Sequence, residues 1–290
     1  MLTPLLRAFA LVPLRINHAI GAGLGWIAYL VDRRYARTLR GNLAQSGIAR
    51  DATEYKLLLR RNIAESGKAM TELFIAFLRP QAEVTALVSE CRGWEHAEAA
   101  LAKARGVIFV TPHLGCFDIA GRYLASRVPI TFLYSPPKLQ WAASLMYEGR
   151  VRGEATLAPA GIRGVRRLLK SLKAGGNICI LPDQAPRHAD GTWVEFFGRQ
   201  AFTMTLVGRL QRATGAEIVL FYGERLARGK GYRVCIEPFP EPLHADNAVA
   251  ARQINGAVER LVRQCPTQYF WSYNRYKAPA GAPPRPTAEP

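Results

Sequence analysis

Cysteine and histidine are both scarce in this sequence, with five of each in 290 residues. The cysteines stand at positions 91, 116, 179, 235 and 265, and none of their spacings matches that of a metal site. They lie in or beside apolar runs, so we expect buried, reduced thiols in a protein that faces the cytosol. The sequence therefore indicates no metal site.

Long uninterrupted apolar runs are also missing, and crossing a bilayer as a helix takes about 20 residues. The longest clean run, Ala19–Val31, has 13 residues and no convincing signal-peptide cleavage site. We expect residues 1–31 to form a membrane anchor, a helix or helical hairpin in the interface, with Trp26 and Tyr29 at headgroup depth. A single tilted span from Leu11 to Val31 is the alternative.

Acidic residues are few: 22 of them face 39 lysines and arginines, which gives a net charge of +17 and a pI of about 10.1. This charge indicates an anionic partner, which can be nucleic acid, an anionic bilayer or an acidic substrate. A nucleic-acid reader motif is not found, so we expect no nucleic acid. The basic run Arg33–Arg40 follows the apolar segment, and we expect it to contact anionic lipid on the cytoplasmic side.

One domain is expected after the anchor, because the chain can bury one large core and contains no evident linker. We assign residues 32–277 to this domain and the Pro- and Ala-rich residues 278–290 to a disordered tail. Apolar strands alternate with helices, which predicts an α/β fold with a mostly parallel sheet flanked by helices. The predicted strands are Val107–Val110, Ile130–Tyr134, Ile178–Leu181, Ile218–Tyr222 and Tyr232–Ile236. The predicted helices are Asp51–Leu78, Glu95–Arg105, one from Ile119 onward, Trp141–Glu148, Arg163–Lys173, Thr203–Ala213 and Ala248–Arg263.

The loop after the predicted strand Val107–Val110 carries the most informative pair of side chains, His113 and Asp118. It lies at the C-terminal end of a strand, where open α/β sheets place their ligand sites. A histidine with a carboxylate neighbour suits general base catalysis, because the carboxylate fixes the tautomer and stabilises the imidazolium. The alternative is a histidine that caps a helix or is satisfied in the core.

A second loop has the same position relative to its strand. Asp183 and Gln184 follow Ile178–Leu181, so we expect both loops to meet on one rim of the sheet. Asp183 is then a site residue, and the alternative is a simple turn-former before Pro186.

Four blocks, in order along residues 5–278, resemble the lipid A late acyltransferases, the lauroyl and myristoyl transferases of Gram-negative bacteria. These enzymes are a branch of the lysophospholipid acyltransferase superfamily. His113–Asp118 is similar to their H-x4-D/E block. The other blocks are Gly41–Leu43 after the basic run, Leu181–Pro186 with Phe196–Gly198 and Ala201–Thr203, and Gln268–Lys277.

The resemblance implies a membrane-associated acyltransferase with a glycerolipid acyltransferase-like fold and no cofactor, acting at the cytoplasmic face of the bacterial inner membrane. The acyl donor is then an acyl thioester of acyl carrier protein or coenzyme A, and the acceptor is a hydroxyl of a lipid A precursor. His113 would remove the hydroxyl proton while Asp118 orients the imidazole. Backbone N–H groups around Gly115, or a nearby arginine, would stabilise the tetrahedral oxyanion.

Further residues are candidates for substrate binding. Arg150 resembles a family arginine near the active site and can hold an acceptor phosphate; a solvated surface arginine is the alternative. Arg163 shares a helix with Arg166 and Arg167, which can face headgroups, a carrier protein or only solvent. Cys116 lies inside the motif, but its surroundings favour inert packing over a nucleophile.

Three positions depart from the family pattern. Asp118 stands where the lipid A enzymes usually carry Glu, Ser135 stands near a commonly basic position, and Asn274 stands where Arg is common. Fewer basic positions favour an acceptor with fewer phosphates, so another glycolipid, a lysophospholipid or an amino-lipid is the main alternative acceptor. A catalytically inactive membrane-binding homologue is a second alternative, against which the intact pair of His113 and Asp118, with Asp183 and Gln184, argues.

Overall fold

The computed structural model describes residues 2–135, 140–186 and 190–286. In these residues the strands are β1 (Val88–Arg92), β2 (Val107–Val110), β3 (Ile130–Tyr134), β4 (Ala155–Pro159), β5 (Asn177–Ile180), β6 (Gly191–Phe196), β7 (Arg199–Met204), β8 (Glu217–Arg225) and β9 (Tyr232–Pro238). The helices are α1 (Leu2–Leu11), α2 (Leu14–Val31), α3 (Arg33–Gln45), α4 (Ala52–Leu78), α5 (Gln81–Ala86), α6 (Trp94–Leu101), α7 (Phe117–Ala125), α8 (Gln140–Arg150), α9 (Ile162–Lys173), α10 (Leu206–Thr214) and α11 (Asn247–Gln264).

Seven strands form one sheet in the order β1-β9-β8-β2-β5-β3-β4. The central strand β2 is parallel to both β5 and β8, whereas β9 runs antiparallel to β8. The sheet is therefore mixed and mostly parallel, and the predicted α/β architecture is confirmed. Because β2, β5 and β8 point the same way, the loops that follow them meet at one edge of the sheet.

Helices cover both faces of this sheet, and β2 shows why its sequence is apolar throughout. Ile108 and Val110 pack into a core cluster with α9, α10 and α11. Val107 and Phe109 point to the opposite face and pack with α6 and α7. Side chains alternate between the two faces of a strand, so a strand buried on both faces is a continuous apolar run.

The N-terminal segment forms two helices, α1 and α2, separated at Pro13, which cannot donate a backbone hydrogen bond. Helix α2 packs closely on α4 through Gly21, Gly25 and Gly67, since a Cβ on Gly67 would overlap the Gly21 carbonyl oxygen. Large apolar side chains on the opposite side of α2, including Leu30, are exposed. Among residues 2–135, 140–186 and 190–286, no helix combines the length and apolarity needed to cross a membrane.

Several elements differ from the sequence-based predictions. Strands β1 and β4 and the hairpin β6–β7 were not predicted, and the predicted helix over Thr203–Ala213 is wrong at its start. Thr203 belongs to β7, where the neighbouring Phe202 pairs with Trp193 of β6 across the hairpin. Trp193 Nε1 also donates to the carbonyl of Pro283, at 2.8 Å, in the predicted tail. Residues 287–290 lie outside the described residues, and the disorder of the tail stays a prediction.

Candidate active site

The loop between β2 and α7 presents His113 at the edge of the sheet where parallel strands end. Gly115 has a φ of +60°, and a Cβ there would overlap the carbonyl oxygen of Gly223 in β8. Glycine alone combines this backbone conformation with so close an approach. The Gly115 N–H donates to the carbonyl of Gln268 at 3.0 Å, and the Phe270 N–H donates to the carbonyl of His113 at 3.1 Å. The loop is thus held between β8 and the C-terminal segment.

His113 contacts two side chains of the loop that follows β5. Its Nδ1 lies 2.7 Å from Asp183 Oδ1, and its backbone N–H donates to Asp183 Oδ2 at 2.9 Å. Gln184 Nε2 lies 3.1 Å from His113 Nε2. Because a carboxylate only accepts hydrogen bonds, these partners place the ring proton on Nδ1 and the lone pair on Nε2. The two loops therefore meet on one rim of the sheet, as the sequence predicts.

Asp183 is buried, which by itself would raise the pKa of its carboxyl group. The charge and hydrogen bonds of His113, with the nearby charge of Arg275, outweigh burial and hold that pKa below its usual value. Asp183 is therefore ionised at neutral pH and can stabilise a positive charge on the imidazole.

The expected contact between Asp118 and His113 needs correction. The carboxylate on His113 Nδ1 is that of Asp183, whereas Asp118 Oδ1 accepts a hydrogen bond from Arg150 Nε at 2.8 Å and forms an ion pair with Arg150 Nη2, also at 2.8 Å. Helix α7 begins at Phe117, whose ring lies 4.9 Å from that of His113, centroid to centroid. The six residues of the motif, His113–Asp118, are thus divided between a loop and the first turn of α7, and their spacing does not by itself bring the two side chains together.

Arg150 is fixed on three sides. Its guanidinium carbon lies 5.4 Å from the ring centroid of Phe77 and 5.6 Å from that of Tyr134, and its remaining partner is Asp118. Burial would lower the pKa of Arg150, but the charge and hydrogen bond of Asp118 raise it above the usual value. The guanidinium is therefore charged and held in place by an ion pair with one carboxylate.

His113, Asp118, Arg150 and Gln184 line one cavity of about 1050 Å³. Most of its remaining wall is apolar; examples are Phe132, Leu157, Leu181 and Phe221. Asp183 lies behind His113 and supports it from the buried side. Arg163 is exposed on α9 and is not one of the cavity-lining residues.

Sequence reasoning did not single out Phe117 and Phe270, whose rings flank His113. The sequence could have indicated both residues, because each lies inside a block that resembles the acyltransferases. Cys116 is buried, and burial raises the pKa of its thiol well above the usual value, which disfavours a thiolate nucleophile. In the described part of the chain, no group of three or more His, Cys, Asp or Glu side chains is arranged to hold a metal ion.

Comparison with known proteins gives a consistent result. The family pattern described as bacterial lipid A biosynthesis acyltransferase matches residues 2–278. The lipid A biosynthesis lauroyltransferase of Escherichia coli K12 is 28% identical over 281 residues, which cover 94% of this chain and 90% of that protein. The palmitoleoyltransferase of the same strain is 26% identical over 259 residues, with 89% and 84% coverage. Its myristoyltransferase is 25% identical over 278 residues, with 92% and 82% coverage.

The match extends over nearly all of the chain, and the four blocks that carry the resemblance include the His113 and Asp183 loops. The chain therefore belongs to the bacterial lipid A biosynthesis acyltransferases and is an acyltransferase.

Proposed function

We propose that this protein transfers a fatty acyl group from an acyl thioester, carried by acyl carrier protein or coenzyme A, to a hydroxyl of a lipid A precursor. One observation carries the proposal: His113 lines a largely apolar cavity with its Nε2 lone pair available, while ionised Asp183 holds its Nδ1 proton. This is the arrangement of an oriented general base.

In the proposed reaction, Gln184 first releases His113 Nε2 to the acceptor hydroxyl. His113 removes the hydroxyl proton as the oxygen attacks the thioester carbonyl, and Asp183 stabilises the imidazolium that forms. The tetrahedral intermediate collapses with loss of the thiolate, which takes the proton back from His113. The products are an ester and a free thiol, and no acyl-enzyme is needed.

Stabilisation of the oxyanion is assigned to Arg150. The alternative considered from the sequence was a backbone N–H near Gly115, but that N–H already donates to Gln268. Arg150 lines the same cavity as His113 and is positioned by Asp118. A fixed cation in a largely apolar cavity stabilises developing negative charge without reorganisation. Asp118 then acts through Arg150, and the remaining apolar wall of the cavity accommodates the acyl chain.

Membrane association is proposed for helices α1 and α2. Apolar side chains project from them into solvent, and the basic residues of α3 follow directly. Burial of apolar surface in the interface and contact of Arg33, Arg34, Arg37 and Arg40 with anionic lipid would then act together. We propose that this surface holds the cavity at the cytoplasmic face of the inner membrane.

The test is transfer by purified protein, followed by mass spectrometry of the acylated acceptor. His113→Ala should lower turnover by at least about 10²-fold, because proton transfer of this kind contributes about 10² to 10⁴ in rate. His96→Ala, which removes an exposed histidine from α6, is the matched control and should leave turnover unchanged. Near-normal turnover by folded His113→Ala protein would refute the mechanism.

The acceptor is tested separately. Mass spectrometry of total lipids from a deletion strain and from the complemented strain should show one lipid A species that gains an acyl group only when the protein is present. If a lysophospholipid, an amino-lipid or another glycolipid gains the acyl group instead, the protein still transfers acyl groups, but the proposed lipid A acceptor is wrong.

A further inference from the structure

We infer that the cavity has a phosphate-binding subsite on its rim, formed by three residues that we call the rim cations: Arg166, Arg209 and Lys277. The inference rests on the proposed function and adds to it the place where a phosphate of one substrate is held. The rim cations come from three different parts of the chain, and all three are exposed and line the cavity.

Their positions follow from the packing of the surrounding elements. Arg166 lies on α9 and Arg209 on α10, and these helices pack against the same face of the sheet. Lys277 Nζ lies 5.0 Å from the ring centroid of Tyr273, and the Tyr273 hydroxyl accepts a hydrogen bond from the Ala185 N–H at 3.2 Å. Lys277 is thus tied to the loop that carries Asp183 and Gln184.

The charge of this rim is not balanced. Arg209 forms an ion pair of 2.9 Å with the exposed Asp190, but neither Arg166 nor Lys277 forms one with any acidic side chain in the described part of the chain. Arg150, by contrast, is half-buried and paired with Asp118. A phosphate is therefore better accommodated at the rim than at Arg150, which we had expected from the sequence to hold it.

An apolar cavity with cations at its opening suits a ligand that has an apolar chain and an anionic group. Guanidinium groups present N–H donors in a planar fork that matches phosphate oxygens, and lysine adds a mobile positive charge. Both substrates of the proposed reaction have a phosphate ester: the acyl donor has one on its pantetheine arm, and lipid A precursors have one on the sugar. The shared chemistry is a phosphate ester next to an acyl chain.

The test compares wild type, the double variant Arg166→Gln/Lys277→Gln and the control Lys170→Gln. Lys170 is exposed on α9 and is not a cavity-lining residue, so its substitution removes a charge from the same helix without changing the rim. The acyl donors are S-acyl phosphopantetheine and S-acyl pantetheine, and the acceptors are a lipid A precursor with and without its phosphates. The double variant should lose about 10-fold or more in kcat/KM with fully phosphorylated substrates, as expected for the loss of a charge-assisted hydrogen bond.

The source of the phosphate is identified by the substrate with which this loss disappears. If the double variant and wild type have the same kcat/KM with S-acyl pantetheine, the subsite binds the phosphate of the acyl donor. If they have the same kcat/KM with the dephosphorylated acceptor, the subsite binds a phosphate of the acceptor. No loss in the double variant, or an equal loss with both phosphates removed, would overturn the subsite.

Equilibrium binding of each acceptor, and of thioether analogues of each acyl donor, gives the same comparison without turnover. If wild type transferred nothing and its affinity for a phosphorylated ligand depended on the rim cations, the subsite would stand and the proposed function would fail. If wild type were active and all affinities were equal, the subsite alone would fail.

Discussion

Two carboxylates near His113 have different partners, and the partners decide what each can do. Asp183 accepts two hydrogen bonds from His113, whereas Asp118 accepts from Arg150. Asp183 therefore controls the tautomer and charge of His113, the proposed base, and Asp118 controls the position of a cation. The sequence motif contains only the second of them.

Asp183→Asn is expected to be the more damaging of two matched amide substitutions. It removes the negative charge beside His113 Nδ1 and lets the amide donate to that nitrogen, so kcat should fall by at least about 10²-fold. Asp118→Asn keeps an oxygen that can accept from Arg150, and its loss should be smaller. Single-turnover rates of both folded variants check this. A greater loss in Asp118→Asn would return the orienting role to Asp118.

Cys116→Ser is expected to retain most of the activity. The thiol is buried, burial raises the pKa of that thiol, and an unionised thiol is a poor nucleophile. Steady-state turnover and a search for an acyl-enzyme by intact-protein mass spectrometry are the measurements. A folded Cys116→Ser protein without activity, or an acyl group found on Cys116, would establish covalent catalysis instead.

At the scale of elements, the two sides of helix α2 have different surroundings. One side packs through Gly21 and Gly25 on α4, where no side chain would fit, and the other leaves apolar residues in solvent. Deletion of residues 1–31 would therefore disturb the packing of α2 on α4 as well as the exposed apolar surface. Single substitutions on the exposed side separate these two effects.

Leu24→Asp/Ile27→Asp should weaken binding to vesicles that contain anionic lipid, while the melting temperature changes little. Both residues are exposed, so the change removes apolar surface from the interface without opening the core. Val249→Asp, on an exposed position of α11, is the matched control. Vesicle co-sedimentation with and without high salt is the measurement.

High salt should release wild type only in part, because salt screens the contacts of Arg33–Arg40 and leaves apolar insertion intact. Complete release by salt, or unchanged binding of the double variant, would rule out the inserted surface.

The molecule as a whole is joined by a buried ionic cluster between α2, α4, β8 and β9. Glu72 is fully buried; it accepts from the Tyr232 hydroxyl at 2.7 Å, lies 2.6 Å from His18 Nε2 and pairs with Arg225. Burial would raise the pKa of Glu72, but Arg225 and His18 lower it to about 2. The cluster thereby links helices α2 and α4 to strands β8 and β9 of the sheet.

Glu72→Gln should lower the free energy of unfolding at neutral pH by about 3–5 kcal/mol, since it leaves Arg225 buried with less compensation. The pKa of Glu72 is lower in the folded protein than the ordinary 4.5, so its contribution is complete above pH 4.5 and is lost as the pH falls toward 2. Denaturant unfolding at several pH values should therefore show weaker acid destabilisation in Glu72→Gln than in wild type. Glu98→Gln, at an exposed position of α6, should follow wild type, and an equally steep acid loss in Glu72→Gln would contradict this account.

Much of the fold is determined by the sequence alone, because helices and strands depend on local periodicity. The apolar run Val107–Val110 and the helical pattern that became α4 were predicted close to their observed bounds. The two loops that carry His113 and Asp183 were also predicted to share one rim, since each follows a parallel strand.

Only the tertiary structure decided which side chains meet there. His113 and Asp183 are 70 residues apart, and they become neighbours because β5 pairs beside β2 in the sheet. Asp118 is close to His113 in sequence, yet the turn into α7 pairs it with Arg150 of α8. Strand order and helix packing arise from contacts across the whole chain, so they determine partners that a local spacing does not specify.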